Sequence, residues 1–316
     1  MIHAAIDLGT NAVRFMVAEE LNHQQIRILH RERMVVRLGE GFGWQKKILP
    51  ESLRRAADAL RKFSAEATRL RAARIRLIGT SVFRQAENRE AACRQLEQES
   101  GLAVQVISGE MEAGLASYGV IKTLGLAEQN LIITDIGGGS TEVIYFPPEG
   151  GSPFFLSLPL GAVWLSERFL IHDPPQAGEW EEMIRFCRSV IEQRITTIFP
   201  NSKTTFVGTG GTASTVAAIE QQQSSYHPEQ INNFTLPLAS LEELAGRLCA
   251  LPLVERRKIC GLEKGREDII PAGVAILLTL MRTLNISHLV ISDAGLLEGI
   301  IWHEISPAPF LEAFAT

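Results

Sequence analysis

The chain carries one kind of motif twice, and its residue types suit the binding of phosphate. Residues 6–11 read Ile-Asp-Leu-Gly-Thr-Asn, and residues 134–141 read Thr-Asp-Ile-Gly-Gly-Gly-Ser-Thr. Each motif lies between two apolar stretches, which predicts a β-hairpin with a Gly-rich turn. Glycine lets the backbone approach an anion closely, and threonine or serine adds a hydroxyl donor. Two such hairpins together predict a two-sided clamp for phosphate groups.

An aspartate ends the first strand of each predicted hairpin. Hard cations choose carboxylate oxygens, so we expect Asp7 and Asp135 to hold a Mg²⁺ or Mn²⁺ ion that offsets the charge of the phosphates. Either motif alone is also compatible with an ordinary β-turn. The residues predicted to contact phosphate in the two turns are Gly9, Thr10, Asn11, Gly137, Gly138, Gly139, Ser140 and Thr141.

A third Gly-rich turn follows a predicted strand and opens a predicted helix. Residues 208–213 read Gly-Thr-Gly-Gly-Thr-Ala, and we expect Gly208, Gly210 and Gly211 to contact phosphate at the helix N-terminus. The same letters match the dinucleotide-binding pattern of a Rossmann fold. That interpretation is the weaker one, because it leaves both aspartate hairpins without a role.

Composition narrows the classes of protein. A length of 316 residues with 46% hydrophobic and 21% charged residues predicts a globular chain of about two domains. The net charge of −5 argues against a broad polyanion-binding surface, so duplex nucleic acid is not an expected partner. The four cysteines lie far apart, the N-terminus has no basic leader, and no apolar stretch is long enough for a bilayer. We therefore expect a cytoplasmic protein with no membrane partner.

The predicted elements follow one plan in both halves. In the first half we expect strands near 2–8, 11–20 and 26–38, a loop through Gly39, Gly41 and Gly43, and then helices near 51–72, 85–99 and 109–123 with strands near 74–79 and 103–107. In the second half we expect strands near 130–136, 141–146 and 153–158, and then helices near 161–171, 177–198, 240–250 and 266–284 with strands near 204–208 and 287–292. Three strands followed by alternating helices and strands predict an α/β fold built by duplication.

The three turns resemble those of the duplicated actin-like (ribonuclease H-like) ATPase domain of actin, sugar kinases and heat-shock ATPases. More narrowly, the chain resembles the exopolyphosphatase and guanosine pentaphosphate phosphohydrolase (Ppx/GppA) family. The matching segments lie in family order over nearly the whole chain: 5–14, 37–41, 79–89, 107–113, 135–142, 157–161, the turn at Gly208, Arg266 with Asp268, and 291–295. The resemblance implies the short form with two actin-like domains, 1–126 and 127–316, a cleft between them, and a C-terminal helix that packs back on the first domain.

Hydrolysis of a terminal phosphoanhydride needs a held water, a base and stabilisation of the phosphoryl charge. Glu112 lies in the first turn of a predicted helix, where acidic residues are common because they complement the helix dipole. Its match to the family's Glu-Ala pair implies that it is the base. The resemblance also implies that Glu142 is an essential carboxylate beside Asp135, and strand alternation places Ser140 and Glu142 on one face.

Arg84 follows a predicted strand end at Thr80-Ser81, and its planar fork suits a phosphate oxygen pair. Arg14, Arg37 and Arg89 are weaker candidates that also suit surface ion pairs. The chain departs from the family where Gly114 and Leu297 stand at positions that usually hold arginine. The two missing cations predict altered affinity for distal phosphates rather than altered chemistry.

The sequence therefore predicts a Mg²⁺-dependent exopolyphosphatase that releases terminal orthophosphate from inorganic polyphosphate. Removal of the 5′-γ-phosphate of guanosine pentaphosphate is the alternative within the same chemistry. A kinase or an actin-like ATP switch is a more remote alternative, because no inserted segment is large enough for an acceptor-binding lobe. The resemblance also implies a possible homodimer.

Overall fold

The computed structural model describes residues 1–22, 25–42, 46–148 and 151–314. The chain divides into two compact units, of which unit 1 comprises Met1–Lys122 with the residues from Gly295 onward, and unit 2 comprises Thr123–Ala294. The division after Lys122 lies four residues before the expected domain boundary at 126. Gly43 of the predicted Gly-rich loop lies outside the described residues.

Unit 1 is built on a five-stranded sheet with the order β3-β2-β1-β4-β5. Strand β1 is antiparallel to β2 and parallel to β4. Its strands are β1 (Ile2–Leu8), β2 (Ala12–Asn22), β3 (Gln25–Val35), β4 (Arg74–Gly79) and β5 (Gln105–Val106). Its helices before the chain leaves the unit are α1 (Pro50–Arg69), α2 (Ser81–Gln85), α3 (Arg89–Ser100) and α4 (Gly109–Leu124).

Helix α1 covers one face of this sheet. Pro50 at its first position suits a helix start, since the missing N–H has no intrahelical partner there. Its buried residues, Leu53, Ala56, Ala57, Leu60 and Phe63 among them, recur at helical spacing. The Phe63 ring stacks on the Phe15 ring of β2 with a centroid separation of 4.7 Å. This packing fixes the sheet from which the first hairpin projects.

Unit 2 is built on a six-stranded sheet with the order β10-β11-β9-β6-β7-β8. Its strands are β6 (Leu131–Ile136), β7 (Thr141–Phe146), β8 (Phe154–Leu158), β9 (Thr205–Thr209), β10 (Phe234–Pro237) and β11 (His288–Ile291). Its helices are α5 (Ala162–Phe169), α6 (Ala177–Arg194), α7 (Gly210–Glu220), α8 (Pro228–Ile231), α9 (Leu238–Ala250), α10 (Leu253–Arg256) and α11 (Ile270–Thr283).

The two sheets share one topology. Strands β8, β7 and β6 are antiparallel neighbours, and β9 and β11 continue the sheet in parallel, as β4 and β5 do in unit 1. Strand β10 adds an antiparallel edge to unit 2 alone. The prediction of an α/β fold built by duplication of the actin-like (ribonuclease H-like) domain is therefore confirmed.

The last helix, α12 (Leu296–Ile305), belongs to unit 1 and packs on α4. The contact is made through backbone: a Cβ on Gly299 would lie 1.8 Å from the Leu115 carbonyl oxygen, and a Cβ on Gly119 would lie 2.2 Å from the Gly295 carbonyl oxygen. Only glycine permits this approach. The close crossing holds α4, whose first turn carries Glu112.

Local differences from the predicted elements are few. The helix predicted at 85–99 is α3, which begins at Arg89, and the short helix α2 before it was not predicted. Ala86 has extended backbone between the two helices. Strand β3 ends at Val35 rather than at residue 38, since residues 36–39 hydrogen-bond to the first hairpin turn instead. Within the described part of the chain, no helix has the length and apolar character needed to cross a membrane.

Candidate active site

The first hairpin turn, between β1 and β2, is held from one side by the segment after β3. The Gly9 N–H donates to the Ala12 carbonyl oxygen at 3.1 Å and closes the turn. The carbonyl oxygens of Thr10 and Asn11 accept hydrogen bonds from Gly39 and Arg37, each at 2.8 Å. In a planar trans peptide the N–H points opposite to the carbonyl, so the Asn11 N–H is directed away from this segment. The turn thus presents a backbone donor on the side away from the segment after β3.

Asp7 is buried at the end of β1 beside this turn. Arg14 is its cross-strand neighbour on β2 and donates to Asp7 Oδ2 through Nε at 2.7 Å and through Nη2 at 2.5 Å. An arginine in this position compensates the carboxylate charge that Asp7 would offer to a metal ion.

The second hairpin turn, between β6 and β7, is held in the same way by the start of α5. The Gly137 N–H donates to the Ser140 carbonyl oxygen at 2.9 Å. Ala162 donates to the Gly137 carbonyl oxygen at 2.9 Å, and Val163 donates to that of Gly138 at 3.0 Å. The N–H groups of Gly138 and Gly139 therefore point away from α5, and no residue in the described ranges accepts a hydrogen bond from either. Two adjacent donors directed to one side are a geometry that suits an anion.

Two carboxylates lie side by side on the strands of this second hairpin. Asp135 on β6 and Glu142 on β7 are cross-strand neighbours, which places their side chains on the same face of the sheet. Glu142 Oε1 accepts hydrogen bonds from Ser140 Oγ at 2.8 Å and Ser157 Oγ at 3.0 Å. In unit 1 the position equivalent to Glu142 holds Arg14, so the two hairpins differ in charge.

The difference in charge bears on metal binding. Carboxylate and hydroxyl oxygens are the ligands that Mg²⁺ and Mn²⁺ prefer, and the ion usually keeps several waters. Asp135 and Glu142 fit such an ion as a pair of oxygen donors, whereas Asp7 is paired with an arginine. Among the residues that the structure describes, no group of three or more His, Cys, Asp or Glu side chains is arranged to hold a metal.

The third Gly-rich turn brings Asp135 against the start of α7. Gly210 has a left-handed backbone with φ +75°, and a Cβ there would lie 2.1 Å from Asp135 Oδ1. A Cβ on Gly211 would lie 2.0 Å from Arg266 Nη2. The Asp135 carboxylate and the Arg266 guanidinium therefore both lie on the first two residues of the helix. The Arg266 Nε donates to Glu263.

Sequence reasoning assigned Arg266 no role beyond its place in the family pattern. Its role is indicated by the contact of its guanidinium with Gly211, and this contact is visible only in the folded structure. Its cation lies where the N–H groups of a helix start already favour an anion. We add Arg266 to the predicted phosphate-contacting residues.

Two of the residues predicted to contact phosphate, Thr141 and Gly208, are packed in the interior of unit 2. The Thr141 side chain is fully buried, and its hydroxyl donates to the Leu160 carbonyl oxygen at 2.6 Å. Gly208 lies inside β9, where a Cβ would meet Leu289 Cδ1 at 3.0 Å and Ala213 Cβ at 3.1 Å. Alternation along the strand turns Thr141 away from the face that carries Glu142. Both residues serve packing in the structure.

In unit 1, Arg84 and Glu112 form an ion pair. Glu112 lies in the first turn of α4, where its N–H donates to the Ser108 carbonyl oxygen at 3.0 Å. Arg84 Nη1 donates to Glu112 Oε2 at 2.6 Å and to the Ile107 carbonyl oxygen at 3.2 Å. The structure thus brings together the predicted base and the predicted phosphate-binding arginine.

The pair leaves one edge of the guanidinium available. No acceptor for Arg84 Nε or Nη2 occurs in the described ranges, and the side chain is 29% exposed. Nε and one Nη form the edge with which arginine binds two phosphate oxygens at once. Arg84 is therefore oriented by Glu112 and Ile107 with a phosphate-binding edge free.

The remaining positions of interest lie as follows. Arg37 and Arg89 are exposed, and neither has a carboxylate partner within the described part of the chain. Leu297, which stands where the family usually has arginine, is buried among apolar residues of unit 1. Gly114, the other departure, lies within α4 and is also buried. The Leu297 position therefore serves packing in this chain.

The chain has relatives in both sequence and structure. Residues 16–307 match the model of the Ppx/GppA phosphatase family. Exopolyphosphatase 2 of Mycobacterium tuberculosis is 32% identical over 309 residues, which covers 94% of this chain and 96% of that protein. Guanosine-5′-triphosphate,3′-diphosphate pyrophosphatase of Aeromonas salmonicida is 30% identical over 95% of this chain but only 59% of its own length.

The fold agrees with these sequence relatives. The type II variant crystal structure of the Aquifex aeolicus Ppx/GppA phosphatase superposes with a TM-score of 0.86 and 27% identity, over 96% of this chain and 99% of that one. The match to the family model covers far more than half of the chain, and the mycobacterial relative aligns over nearly the full length of both proteins. The hairpins, the third turn and the Arg84–Glu112 pair are thus parts of a protein that belongs to the Ppx/GppA phosphatase family.

Proposed function

We propose that the chain is an exopolyphosphatase that releases terminal orthophosphate from inorganic polyphosphate by attack of water. The observation that carries the proposal is the Arg84 side chain, oriented by Glu112 and by the Ile107 carbonyl oxygen with its Nε–Nη2 edge free. A free guanidinium edge beside a carboxylate suits a phosphoryl group next to an attacking water. Membership of the family and the near-full-length similarity to a protein named exopolyphosphatase 2 support the same reaction.

The proposed roles follow from the contacts of each group. Glu112 orients the water and accepts its proton, a task that a positioned carboxylate performs well. Arg84 stabilises the negative charge on the phosphoryl oxygens, and the N–H groups of Gly138 and Gly139 bind phosphate through backbone. Asp135 and Glu142 would hold a Mg²⁺ or Mn²⁺ ion, which would neutralise charge on the phosphate chain.

Hydrolysis of guanosine pentaphosphate is the second candidate. It is supported by the relative from Aeromonas salmonicida, of which this chain spans 59%. A guanine base needs a stacking surface, and Trp164 offers one at the start of α5, where its N–H donates to the Gly138 carbonyl oxygen at 3.1 Å. The Trp164 ring is already packed by Phe186 and by the Arg168 guanidinium. Polyphosphate needs no such surface, and we therefore prefer it.

We also propose that the enzyme is cytoplasmic and forms a homodimer. The four cysteines form no disulfide, which suits the reducing cytoplasm. A homodimer is proposed from the resemblance to the family alone, and sedimentation equilibrium would test it. A single species at the mass of one chain, across micromolar concentrations, would contradict the dimer.

The function is tested by orthophosphate release from long polyphosphate, tripolyphosphate, guanosine pentaphosphate and ATP under identical conditions. We expect the highest kcat/KM for long polyphosphate. A preference for the nucleotide of more than about tenfold, which corresponds to about 1.4 kcal/mol in transition-state binding, would reverse the order of the two candidates. Release from none of the four would contradict both.

A further inference from the structure

Seven residues other than glycine have left-handed backbone in the described part of the chain. They are Arg37, Lys46, Arg71, Asn130, Gln222, Asn233 and Asn285. This conformation is unfavourable for a residue with a Cβ, and asparagine tolerates it best. Each case therefore needs a structural reason.

Three of the seven end helices. Arg71, Gln222 and Asn285 each follow a helix and are succeeded by a residue whose N–H reaches back to the last turn, as Ala72 does to the Ala67 carbonyl oxygen at 2.9 Å. That pattern is the Schellman motif, which requires a left-handed residue at its turn. Asn130 and Asn233 have the residue type that tolerates the conformation. The Lys46 N–H donates to the Phe42 carbonyl oxygen at 2.9 Å, so its left-handed backbone closes a turn. Arg37 has none of these explanations.

Arg37 and Lys46 lie in the same loop, between β3 and α1. The Arg37 N–H donates to the Asn11 carbonyl oxygen at 2.8 Å, and its own carbonyl oxygen accepts from Ser52 Oγ at 2.9 Å. The Lys46 carbonyl oxygen accepts from the Glu87 N–H at 2.8 Å. The loop is thus fixed to the first hairpin at one end and to the segment after Arg84 at the other.

A side-chain clamp reinforces the second attachment. Asn88 Oδ1 accepts from the Ile48 N–H at 3.0 Å, and Asn88 Nδ2 donates to the Ile48 carbonyl oxygen at 2.9 Å. The side chains of Arg37 and Lys46 are exposed, and neither forms an ion pair or a side-chain hydrogen bond with any described residue. Unfavourable backbone that the surroundings hold in place is typical of functional sites.

We propose that Arg37 and Lys46 bind phosphates of a long polyphosphate beyond the terminal unit. The inference rests on the proposed function, since it names which residues select the length of that substrate. The two residues flank predicted phosphate-contacting groups: Arg37 bonds to Asn11, and Lys46 bonds to a residue three positions after Arg84. They also supply cations in a chain that lacks arginine at positions 114 and 297. Repeated anions along an extended polymer suit two separated cations, each with its backbone held by hydrogen bonds.

The test replaces each residue with glycine. Glycine adopts the left-handed backbone freely, so Arg37→Gly and Arg37→Gly/Lys46→Gly retain the loop and remove only the cations. We expect KM for long polyphosphate to rise about tenfold in the double variant, the effect of losing charged hydrogen bonds. KM for tripolyphosphate and kcat for both substrates stay within about twofold, and the melting temperature does not fall. The elevated KM should also depend less on salt.

The matched control is Arg71→Gly, which removes an exposed arginine from the same backbone conformation at the end of α1. It should leave KM unchanged for both substrates. An unchanged KM for long polyphosphate in the double variant overturns the proposal, as does an equal rise for tripolyphosphate or an equal rise in the Arg71 control. A lower melting temperature with unchanged KM assigns the residues to loop stability and also overturns it. Failure of the proposed function can be told apart from failure of this inference, because the unaltered protein would then release no orthophosphate from long polyphosphate or from tripolyphosphate.

Discussion

Gly210→Ala tests whether the third turn fixes the position of Asp135. Gly210 has φ +75°, and an added Cβ would lie 2.1 Å from Asp135 Oδ1. Real Cβ contacts essentially never fall below 3.0 Å, so the carboxylate oxygen must move by about 1 Å, the difference between 3.0 and 2.1. A misplacement of about 1 Å is able to cost about 10²-fold in rate. We expect kcat to fall by about that factor.

The effect on stability has two sources that can be separated. A left-handed alanine costs about 1–2 kcal/mol, offset by about 0.4–1 kcal/mol from the stiffer unfolded chain. Displacing the Asp135 side chain from its rotamer adds about 0.5–1.5 kcal/mol. Gly210→Ala should therefore lower the free energy of unfolding by about 2 kcal/mol, which corresponds to a fall of about 4–8 °C in Tm.

Gly101→Ala is the matched control for backbone strain. Gly101 has φ +73° at the end of α3, and a Cβ there meets nothing within 4 Å. This variant should lose about 1 kcal/mol of stability and no activity. Steady-state phosphate release and thermal denaturation measure both quantities. Equal loss of activity in the two variants, or full activity in Gly210→Ala, would refute the role assigned to the contact with Asp135.

Three further predictions concern the metal, the thiols and an ion pair. Excess chelator should abolish activity, and added Mg²⁺ should restore it. Asp135→Asn should raise the Mg²⁺ concentration needed for the half-maximal rate by about tenfold or more. Full activity in excess chelator would contradict the metal requirement. In the native protein at pH 8, a thiol reagent should label the exposed Cys260 rapidly and leave Cys187 unreacted. The reason is that burial raises the pKa of the Cys187 thiol to about 12. Rapid labelling of Cys187 would contradict its burial. Burial pushes the pKa of Glu304 upward, but hydrogen bonds from two arginines of β4 leave it below its ordinary value. The ionised Glu304 side chain therefore stabilises the fold fully at pH values above the pKa that it has in the unfolded chain. Glu304→Gln should cost up to about 1 kcal/mol at pH 7, and the difference in unfolding free energy should vanish as pH falls through the folded pKa; a cost that is constant with pH contradicts it.

Sequence patterns predicted the elements well because both sheets have strong local signals. The strands of each hairpin are runs of apolar residues interrupted by glycine, and β6 and β7 begin or end within one residue of their predicted bounds. The edge strand β10 was missed, since Phe234–Pro237 is short, ends in proline and pairs with β11 only through the tertiary fold. Helix α2 was also missed, since its 5 residues are too few to show a helical period. The break after it at Ala86 depends on contacts of the loop with Glu87 and Asn88.

The candidate site was predictable by residue type more than by contact. The resemblance to the family indicated Glu112, and the place of Arg84 after a predicted strand end indicated a phosphate contact, but their ion pair depends on how α2 and α4 follow parallel strands. Gly208 and Thr141 belong to motifs predicted to bind phosphate, yet both lie in the packed interior. Arg266 is distant in sequence from the glycine it covers, so no local pattern reveals it.

The most direct test of the central claim is phosphate release by Glu112→Gln in a single turnover of long polyphosphate. Glutamine keeps the shape and a hydrogen bond to Arg84 but cannot take a proton from water. We expect the rate to fall by about 10²–10⁴-fold, the usual contribution of a general base, while the affinity for polyphosphate changes by less than about threefold.

Glu110→Gln is the control, because Glu110 lies in the same first turn of α4, is exposed and forms no hydrogen bond or ion pair with Arg84. It should retain the full rate. A Glu112→Gln protein that releases phosphate within about threefold of the unaltered rate, or one that is no slower than Glu110→Gln, would contradict the assignment of Glu112 as the base.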